Sequence, residues 1–352
     1  MSTRVDRVYF ELTTMCNLRC THCFNYNNNF KNKYLSLEEF NSFYDKVCNK
    51  TNGIVLTGGE PFLHPDIEKF LDRLESENVV ITTNATLRNK EYYANLLKKY
   101  PNLFLQISFD GMTKEVFERV RGKGTYVKVK KVVDYLCEIG LKDRIGLSTT
   151  ILNYNIHEIT NIVMYAKEKG IHSIHFPTLI LEGRCAEDCT ILPDVKQLNK
   201  LEDELLQLSI ENEALNISVN TLNVVASFIL DKDNITCVNN ATIKVTVDGE
   251  IMPCPVAWKK EESLGHISQI EQYEDIIQKL QCVKLHIVDS ESCSGCEVRD
   301  FCKMNYCEHC GIRNRVDKIG MSYRCSNLMY HIKNIMEEMK YDEKYVDDLF
   351  SK

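Results

Sequence analysis

The chain has 352 residues, which is long enough for one large domain and a smaller second one. Its formal net charge of −7 argues against a general nucleic-acid-binding protein, which would carry a basic excess. No apolar run of about eighteen residues is present, and the first residues lack the apolar core of a signal peptide. The sequence therefore predicts a cytoplasmic protein, in which sixteen cysteines indicate metal binding or reactivity rather than disulfides.

Residues 1–180 alternate predicted strands with predicted helices. The strands cover 8–13, 53–57, 79–83, 103–109, 145–150 and 173–177. The helices cover 37–47, with Ser36 as N-cap, and then 65–74, 91–99, 113–120, 126–139 and 156–169. Successive βα units require a parallel sheet, and six are too few to close an eight-stranded barrel. The predicted fold is α/β, a partial (β/α)6 TIM-like barrel whose active residues lie at the carboxyl ends of the strands.

Three cysteines follow the first predicted strand in Cys16-Asn17-Leu18-Arg19-Cys20-Thr21-His22-Cys23. This spacing lets one loop enclose a single inorganic centre. Three thiolates suit a four-iron cluster that keeps one iron free, because such clusters normally use four cysteines. A structural zinc site is the alternative, but those sites are closed by four ligands, and His22 adjoins Cys23 too closely to complete one easily.

The second predicted strand ends in Thr57-Gly58-Gly59-Glu60-Pro61. Two glycines allow a ligand to approach the backbone closely, and Glu60 can accept a hydrogen bond from an ammonium group. Alone, this motif is equally typical of an ordinary turn.

Together, the Cys-x3-Cys-x2-Cys loop and the Gly-Gly-Glu-Pro segment resemble the radical S-adenosylmethionine (radical SAM) superfamily. The resemblance implies that Cys16, Cys20 and Cys23 hold a [4Fe-4S] cluster whose free iron binds the amino and carboxylate groups of S-adenosylmethionine. An electron from the cluster then releases a 5′-deoxyadenosyl radical. His22 stands where the family usually has a larger aromatic residue that contacts adenine.

The same resemblance implies further cofactor-binding residues at the strand ends. An ordinary cap or turn role is the alternative for each of those outside the Gly-Gly-Glu segment. The predicted set is Gly58, Gly59, Glu60, Thr83, Asn84, Ser108, Asp110, Arg121 and Thr149.

Beyond residue 180 we predict a helical bridge over 181–235, a cysteine-rich module over 236–326 and a helical tail over 327–352. The bridge contains helices over 194–213 and 221–230, and the module opens with a hairpin that turns at Asp248-Gly249. The module is similar to the SPASM extension of radical SAM enzymes, which holds two auxiliary [4Fe-4S] clusters. Two zinc ribbons are the alternative.

This resemblance implies ligands for both auxiliary clusters. The outer cluster would be held by Cys293, Cys296, Cys302 and Cys325. The inner one would be held by Cys237, Cys254 and one of Cys307 and Cys310. Its fourth ligand is the other of that pair, Asp231, or an open position for substrate.

Cys185 and Cys189 follow the sixth strand, where a substrate radical would form. Because a thiol S–H bond is weak, either cysteine could return a hydrogen atom to a peptide radical, which is the chemistry of epimerisation. Arg184 would lower the pKa of a nearby thiol, and Asp188 would raise it. The alternative is a pair of unreactive loop residues or a labile disulfide.

SPASM-type enzymes mostly modify peptides or proteins. The resemblance therefore implies an enzyme that modifies a ribosomally made peptide by a thioether or carbon–carbon crosslink, or by epimerisation. Expected partners are the precursor peptide and an external electron donor of the flavodoxin or ferredoxin type. Because the first strand begins at residue 8, the leader peptide would bind the barrel rim, the bridge helices or a separate leader-binding protein.

Three alternatives stand beside this function. Two are enzymes: an anaerobic sulfatase-type formylglycine maturase and a SPASM enzyme acting on a haem precursor. The third is a non-catalytic iron–sulfur or zinc scaffold. Neither nucleic acid nor a membrane is an expected partner.

Overall fold

The computed structural model describes residues 5–25, 32–47, 50–180, 183–185, 188–223, 225, 242–255, 257, 260–281, 297–298 and 318–341. Its strands are β1 (Arg7–Thr13), β2 (Gly53–Gly58), β3 (Val79–Thr83), β4 (Leu103–Ser108), β5 (Ile145–Ser148), β6 (Ser173–Phe176), β7 (Asn216–Val219), β8 (Thr242–Val245) and β9 (Ile251–Met252). They form a nine-stranded sheet of order β7-β6-β5-β4-β3-β2-β1-β8-β9. The predicted α/β class is confirmed.

Helices connect the strands and cover the sheet. They are α1 (Leu37–Val47), α2 (Ile67–Arg73), α3 (Lys90–Lys99), α4 (Lys114–Arg121), α5 (Tyr126–Glu138), α6 (Ile159–Lys169), α7 (Val195–Glu211), α8 (Tyr273–Gln281) and α9 (Lys318–Tyr341). The backbone N–H of Glu39 donates to Ser36 Oγ at 3.4 Å, so Ser36 caps α1 as predicted. None of the helices in the described ranges is long and apolar enough to cross a membrane.

Strands β1 to β6 lie side by side in chain order, and each pair is parallel. Alternate side chains of β1 point to opposite faces of the sheet. Val8, Phe10 and Leu12 are fully buried, and the Phe10 ring packs edge-on against Phe40 of α1 at a centroid distance of 4.7 Å. Glu11 lies on the other face and is half-buried. One face of β1 therefore packs against α1, and the other carries Glu11.

Three strands from beyond residue 180 extend this sheet. Strand β7 pairs parallel with β6, and β8 pairs parallel with β1. Strand β9 runs antiparallel to β8 and forms the predicted hairpin, in which Gly249 adopts a φ of +74°. The fully buried Ile243 and Val245 fix β8 against the barrel core. The hairpin is thus part of the barrel sheet, and the three domain boundaries stay a prediction.

Helices α7 and α9 meet through a buried polar network. Asn327 Nδ2 donates to Glu202 Oε2 at 2.7 Å and to Asn199 Oδ1 at 2.8 Å. His331 Nε2 lies 2.7 Å from the same Glu202 oxygen. These side chains are at most 8% exposed, so the network sets the register between the bridge and the C-terminal helix. Most of the helix predicted over 221–230 lies outside the described residues.

Candidate functional site

The cysteine loop follows β1 and packs directly on the end of β2. Gly59 N donates to Thr13 O and Glu60 N donates to Met15 O, both at 2.7 Å. A Cβ on Gly58 would lie 2.4 Å from Thr13 O, and a Cβ on Gly59 would lie 2.1 Å from Met15 O. A Cβ at either position would clash with a backbone carbonyl of the segment that leads into the cysteine loop, so both positions require glycine. They position the cysteine loop, whereas the sequence suggested only that they admit a ligand.

Two further elements hold the other end of this loop. Thr21 N donates to Val120 O at 3.0 Å, which ties the loop to the last turn of α4. Arg184 N donates to Cys23 O at 3.0 Å, from the segment after β6. Gly183 has a φ of +62°, and a Cβ there would lie 2.5 Å from Cys23 O. The three cysteines thus lie on a loop held by β2, by α4 and by the segment after β6.

The three thiols differ in exposure. Cys16 is exposed, Cys23 is half-buried and Cys20 is 7% exposed. Arg121 Nη1 donates to Cys20 Sγ at 3.5 Å. Although Cys16 is partly open to solvent, the protein atoms around its sulfur desolvate the thiol and raise its pKa to about 11. Desolvation also raises the pKa of Cys23. The positive charge of an iron–sulfur core would favour the thiolate forms of Cys16 and Cys23.

Three cysteine thiols on one loop are a donor set that suits an iron–sulfur cluster. In the described part of the chain, no three Cys, His, Asp or Glu side chains are grouped so that they could hold one metal ion. A zinc site requires its ligands to converge on one atom. In a [4Fe-4S] cluster each thiolate binds a different iron, so the sulfurs stand further apart.

His22 lies within the cysteine loop, next to Cys23, and is half-buried. Burial lowers the pKa of its imidazole to about 4, and the nearby Arg121 charge acts in the same direction. The ring is therefore neutral near pH 7. A neutral ring can lie against a nucleobase without bringing a second cation close to Arg121.

Glu60 is a carboxylate buried to 1% exposure. It accepts hydrogen bonds from Thr83 Oγ1 at 2.7 Å, Asn84 N at 2.8 Å and Phe62 N at 3.3 Å. Burial raises the pKa of Glu60 to about 7, although these donors lower it. A carboxylate has about four acceptor positions, so one remains for an ammonium group. Thr83 and Asn84, both predicted to bind cofactor, hold this carboxylate in place.

Asn84 also reaches the cysteine loop. Its Nδ2 donates to Asn17 Oδ1 at 3.0 Å, and Asn17 Nδ2 donates to Thr86 Oγ1 at 2.9 Å. Sequence reasoning missed the roles of Asn17 and Thr86, because neither residue type is distinctive at its position. These hydrogen bonds connect the cysteine loop to the segment that follows β3.

Asp110 and Arg121 form a buried ion pair between Arg121 Nε and Asp110 Oδ2. The Asp110 side chain is fully buried, and its Oδ1 accepts from Thr150 N at 2.9 Å. Burial opposes the charge on Arg121, but Asp110 and Cys20 outweigh it and raise the pKa of the guanidinium. Both residues were predicted to bind the cofactor directly. Arg121 has five N–H donors, so its pairing with Asp110 leaves others for a carboxylate.

Ser108 and Thr149, the remaining predicted cofactor residues, end neighbouring strands and are both buried. Thr149 Oγ1 donates to Phe109 O at 2.6 Å and so stabilises the link between β4 and β5. Ser108 lies opposite Ser148 in the register of these strands. Their contact with the cofactor stays a prediction.

Cys185 is 1% exposed and packs with Val120, Leu152 and Ile191. Its Sγ donates to Ile180 O at 3.3 Å. This apolar setting is typical of an unreactive structural thiol. Cys189 begins a short 3-10 turn, and its side chain lies outside the described set. The hydrogen-donor role of either cysteine stays a prediction.

Of the predicted auxiliary ligands, Cys254 is the one whose side chain is described. It is 7% exposed and packs with Met252 and Ala257 directly after β9. Cys325 lies in α9, but its side chain is not among those described. The others lie outside the described residues: Asp231, Cys237, Cys293, Cys296, Cys302, Cys307 and Cys310.

The fold and the loop define an α/β enzyme built around an iron–sulfur centre at the carboxyl ends of its strands. Comparison with known proteins identifies its family, since the radical SAM superfamily matches residues 10–181. The chain is 27% identical to the antilisterial bacteriocin subtilosin biosynthesis protein AlbA of Bacillus subtilis (strain 168), over 95% of this chain and 71% of AlbA. The protein belongs to the radical SAM superfamily, and S-adenosylmethionine and a [4Fe-4S] cluster are its cofactors.

Solved structures share its fold. The anSMEcpe structure with bound AdoMet has a TM-score of 0.69 at 19% identity and covers 94% of this chain and 98% of that one. Streptococcus suis SuiB bound to its precursor peptide SuiA has a TM-score of 0.67 at 17% identity and covers 85% of this chain and 71% of SuiB. The partial-barrel prediction is therefore confirmed at the level of the fold.

Proposed function

We propose that this enzyme modifies a ribosomally made precursor peptide. The match to AlbA carries the proposal, because it extends over 95% of the chain rather than over the barrel alone, and AlbA is a bacteriocin biosynthesis protein. SuiB, which has the same fold, was solved with a precursor peptide. A match over nearly all of this chain favours peptide modification over the sulfatase-type, haem-precursor and scaffold alternatives.

Residues at the strand ends would hold and orient the cofactor. The loop of Cys16, Cys20 and Cys23 would bind the cluster, with its shape fixed by the backbone contacts of Gly58 and Gly59. Glu60 would accept from the cofactor's amino group, and the Arg121 guanidinium would bind its carboxylate. When bound, the cofactor and cluster supply a 5′-deoxyadenosyl radical that abstracts a hydrogen atom from the substrate.

We further propose that the cysteine-rich segment is a SPASM module with two auxiliary [4Fe-4S] clusters. The spacing of its cysteines supports this, as does the burial of Cys254 where β9 ends. The outer ligands would be Cys293, Cys296, Cys302 and Cys325. The inner ones would be Cys237, Cys254 and one of Cys307 and Cys310, with a fourth position taken by the other, by Asp231 or by substrate.

The modification itself would be a thioether or carbon–carbon crosslink, or an epimerisation. A crosslink removes two hydrogen atoms from the peptide, and the second electron would pass to an auxiliary cluster. An epimerisation leaves the mass unchanged in ordinary water. The reaction would take place in the cytoplasm with an external electron donor. The leader would bind the barrel rim, the bridge helices or a separate leader-binding protein.

The proposal is tested with a candidate precursor peptide, chosen from any short open reading frame found beside this gene. Anaerobically reconstituted enzyme, S-adenosylmethionine and a strong reductant are incubated with that peptide in water and in heavy water. We expect either a loss of two hydrogens or the gain of one deuterium at an α-carbon, measured by mass spectrometry. A peptide unchanged in both solvents, under conditions in which the cofactor is cleaved, would contradict the proposal.

A further inference from the structure

A strongly basic segment lies beside the cysteine loop. The sequence from 119 to 131 reads Arg-Val-Arg-Gly-Lys-Gly-Thr-Tyr-Val-Lys-Val-Lys-Lys, which contains basic but no acidic residues. The chain as a whole has a net charge of −7. Positive charge is therefore concentrated where α4 ends and α5 begins, against the overall balance of the protein.

Two of these basic side chains have structural partners. Arg121 pairs with Asp110, and Lys130 Nζ lies 2.6 Å from Asp134 Oδ2. The other four are exposed, and none of them forms a salt bridge with a described residue. They are Arg119, Lys123, Lys128 and Lys131.

The start of this segment touches the loop that holds the cluster. The hydrogen bond from Thr21 N to Val120 O, at 3.0 Å, places Arg119 beside the loop. Arg19, next to Cys20 in the loop itself, is also exposed. We name Arg19, Arg119 and Lys123 the basic rim.

The Arg121 side chain links the end of α4, which carries Arg119, to the cluster ligand Cys20. Cys16, on the same loop as Cys20, is exposed. The Arg119 guanidinium is held over the Tyr154 ring at 3.9 Å, so its position is fixed while it remains exposed. A partner bound at the rim would therefore lie close to the cluster, on the side of the loop that faces solvent.

We propose that the basic rim is the docking surface of an acidic one-electron carrier protein that reduces the cluster. This inference rests on the proposed function, which requires an external electron donor. One electron passes from the reduced carrier to the cluster, and no covalent bond forms or breaks. An acidic carrier is repelled by most of this acidic protein, so a local positive patch determines where it docks. Electron-transfer encounters use small interfaces, and a few exposed charges are enough to steer them.

The test compares two charge reversals of equal size. Arg119→Glu/Lys123→Glu reverses the rim, and Lys98→Glu/Lys167→Glu is its control. Lys98 and Lys167 are exposed in the last turns of α3 and α6, which run back to the amino ends of the strands, away from the cysteine loop. The probe is flavodoxin hydroquinone, an acidic carrier, and cluster reduction is followed by stopped-flow absorbance.

At about 0.01 M ionic strength, where the Debye length is about 30 Å, we expect the rim variant to be reduced more slowly than wild type. The expected decrease is about tenfold or more, since steering raises on-rates by about 10- to 1,000-fold. The control pair should change the rate less than about threefold, because its charges lie far from the cysteine loop. At about 1 M ionic strength, where the Debye length is about 3 Å, the difference should largely vanish.

Dithionite, a small reductant, should reduce all variants at the wild-type rate. If the charge reversal changes the rate of reduction by dithionite, the milder Arg119→Gln/Lys123→Gln variant is tested instead. For that variant we expect slower reduction by flavodoxin, by a smaller factor, and an unchanged rate with dithionite. Equal slowing of the rim and control variants, or no slowing of the rim variant, overturns the proposal. A rim variant that is reduced normally but retains the precursor peptide less well also overturns it and makes the rim a peptide site. A wild-type protein that dithionite reduces but that never alters the peptide would instead refute the proposed function.

Discussion

The Gly59→Ala substitution tests how the cysteine loop is positioned. The added Cβ would lie 2.1 Å from Met15 O, whereas real Cβ atoms stay at least 3.0 Å from such an atom. The Met15 carbonyl, one residue before Cys16, must therefore move by about 0.9 Å. The movement strains two backbone hydrogen bonds, Gly59 N to Thr13 O and Glu60 N to Met15 O. Each hydrogen bond contributes about 0.5–1.5 kcal/mol, so we expect the substitution to destabilise the native arrangement of the cysteine loop by about 1–3 kcal/mol.

A matched control is available at the start of β2, the strand that precedes Gly59. A Cβ on Gly53 would lie 3.2 Å from Asn78 O, a contact that a small shift relieves. We expect Gly59→Ala to lower iron content after reconstitution and to weaken S-adenosylmethionine binding by about 5- to 150-fold, while Gly53→Ala stays near wild type. Iron analysis and isothermal titration calorimetry make the comparison. A Gly59→Ala protein with the iron and affinity of the control would refute the reasoning.

Three further predictions concern other parts of the protein. Glu60→Gln should weaken S-adenosylmethionine binding by about 1.5–3 kcal/mol. Since burial raises the pKa of Glu60 to about 7 and only the carboxylate accepts from an ammonium group, wild-type affinity measured by titration calorimetry should rise as pH increases toward 7, whereas the variant should lack this slope. Iron analysis should approach about 12 atoms per chain, and Cys254→Ala should remove about four of them; an unchanged iron content would mean that Cys254 is not a ligand. If the product gains deuterium in heavy water, Cys185→Ala or Cys189→Ala should stall the reaction; a product lighter by two hydrogens and insensitive to both would exclude the hydrogen-donor role.

The sequence predicts the barrel core well because its strands are short buried runs between helices with apolar periodicity. The third strand was predicted over 79–83 and is observed as Val79–Thr83, and the first helix was predicted over 37–47 and is observed as Leu37–Val47. Strand β7 was missed, since Asn-Ile-Ser-Val is short and lacks a strong strand pattern. The pairing of β8 with β1 joins segments more than 200 residues apart, and no local signal specifies it.

The types of residue at the site could be predicted, but their contacts could not. The motifs single out Glu60, Asn84 and Arg121. The structure adds that Asn84 N donates to Glu60 and that Arg121 pairs with Asp110, and these partners are distant in the sequence or belong to another element. The tight packing of Gly59 on Met15 likewise depends on how two loops meet. Such contacts follow from the folded arrangement of the strand ends, which residue spacing does not encode.

Cleavage of S-adenosylmethionine is the most direct test of the central claim that the cysteine loop holds the catalytic cluster. Anaerobically reconstituted wild type and a variant with Cys16, Cys20 and Cys23 changed to Ala are incubated with the cofactor and a strong reductant, and 5′-deoxyadenosine is measured by chromatography. We expect wild type to produce it and the variant to produce none, while the variant keeps the iron of its other clusters. A variant that still cleaves the cofactor, or a fully reconstituted wild type that does not, would contradict this account.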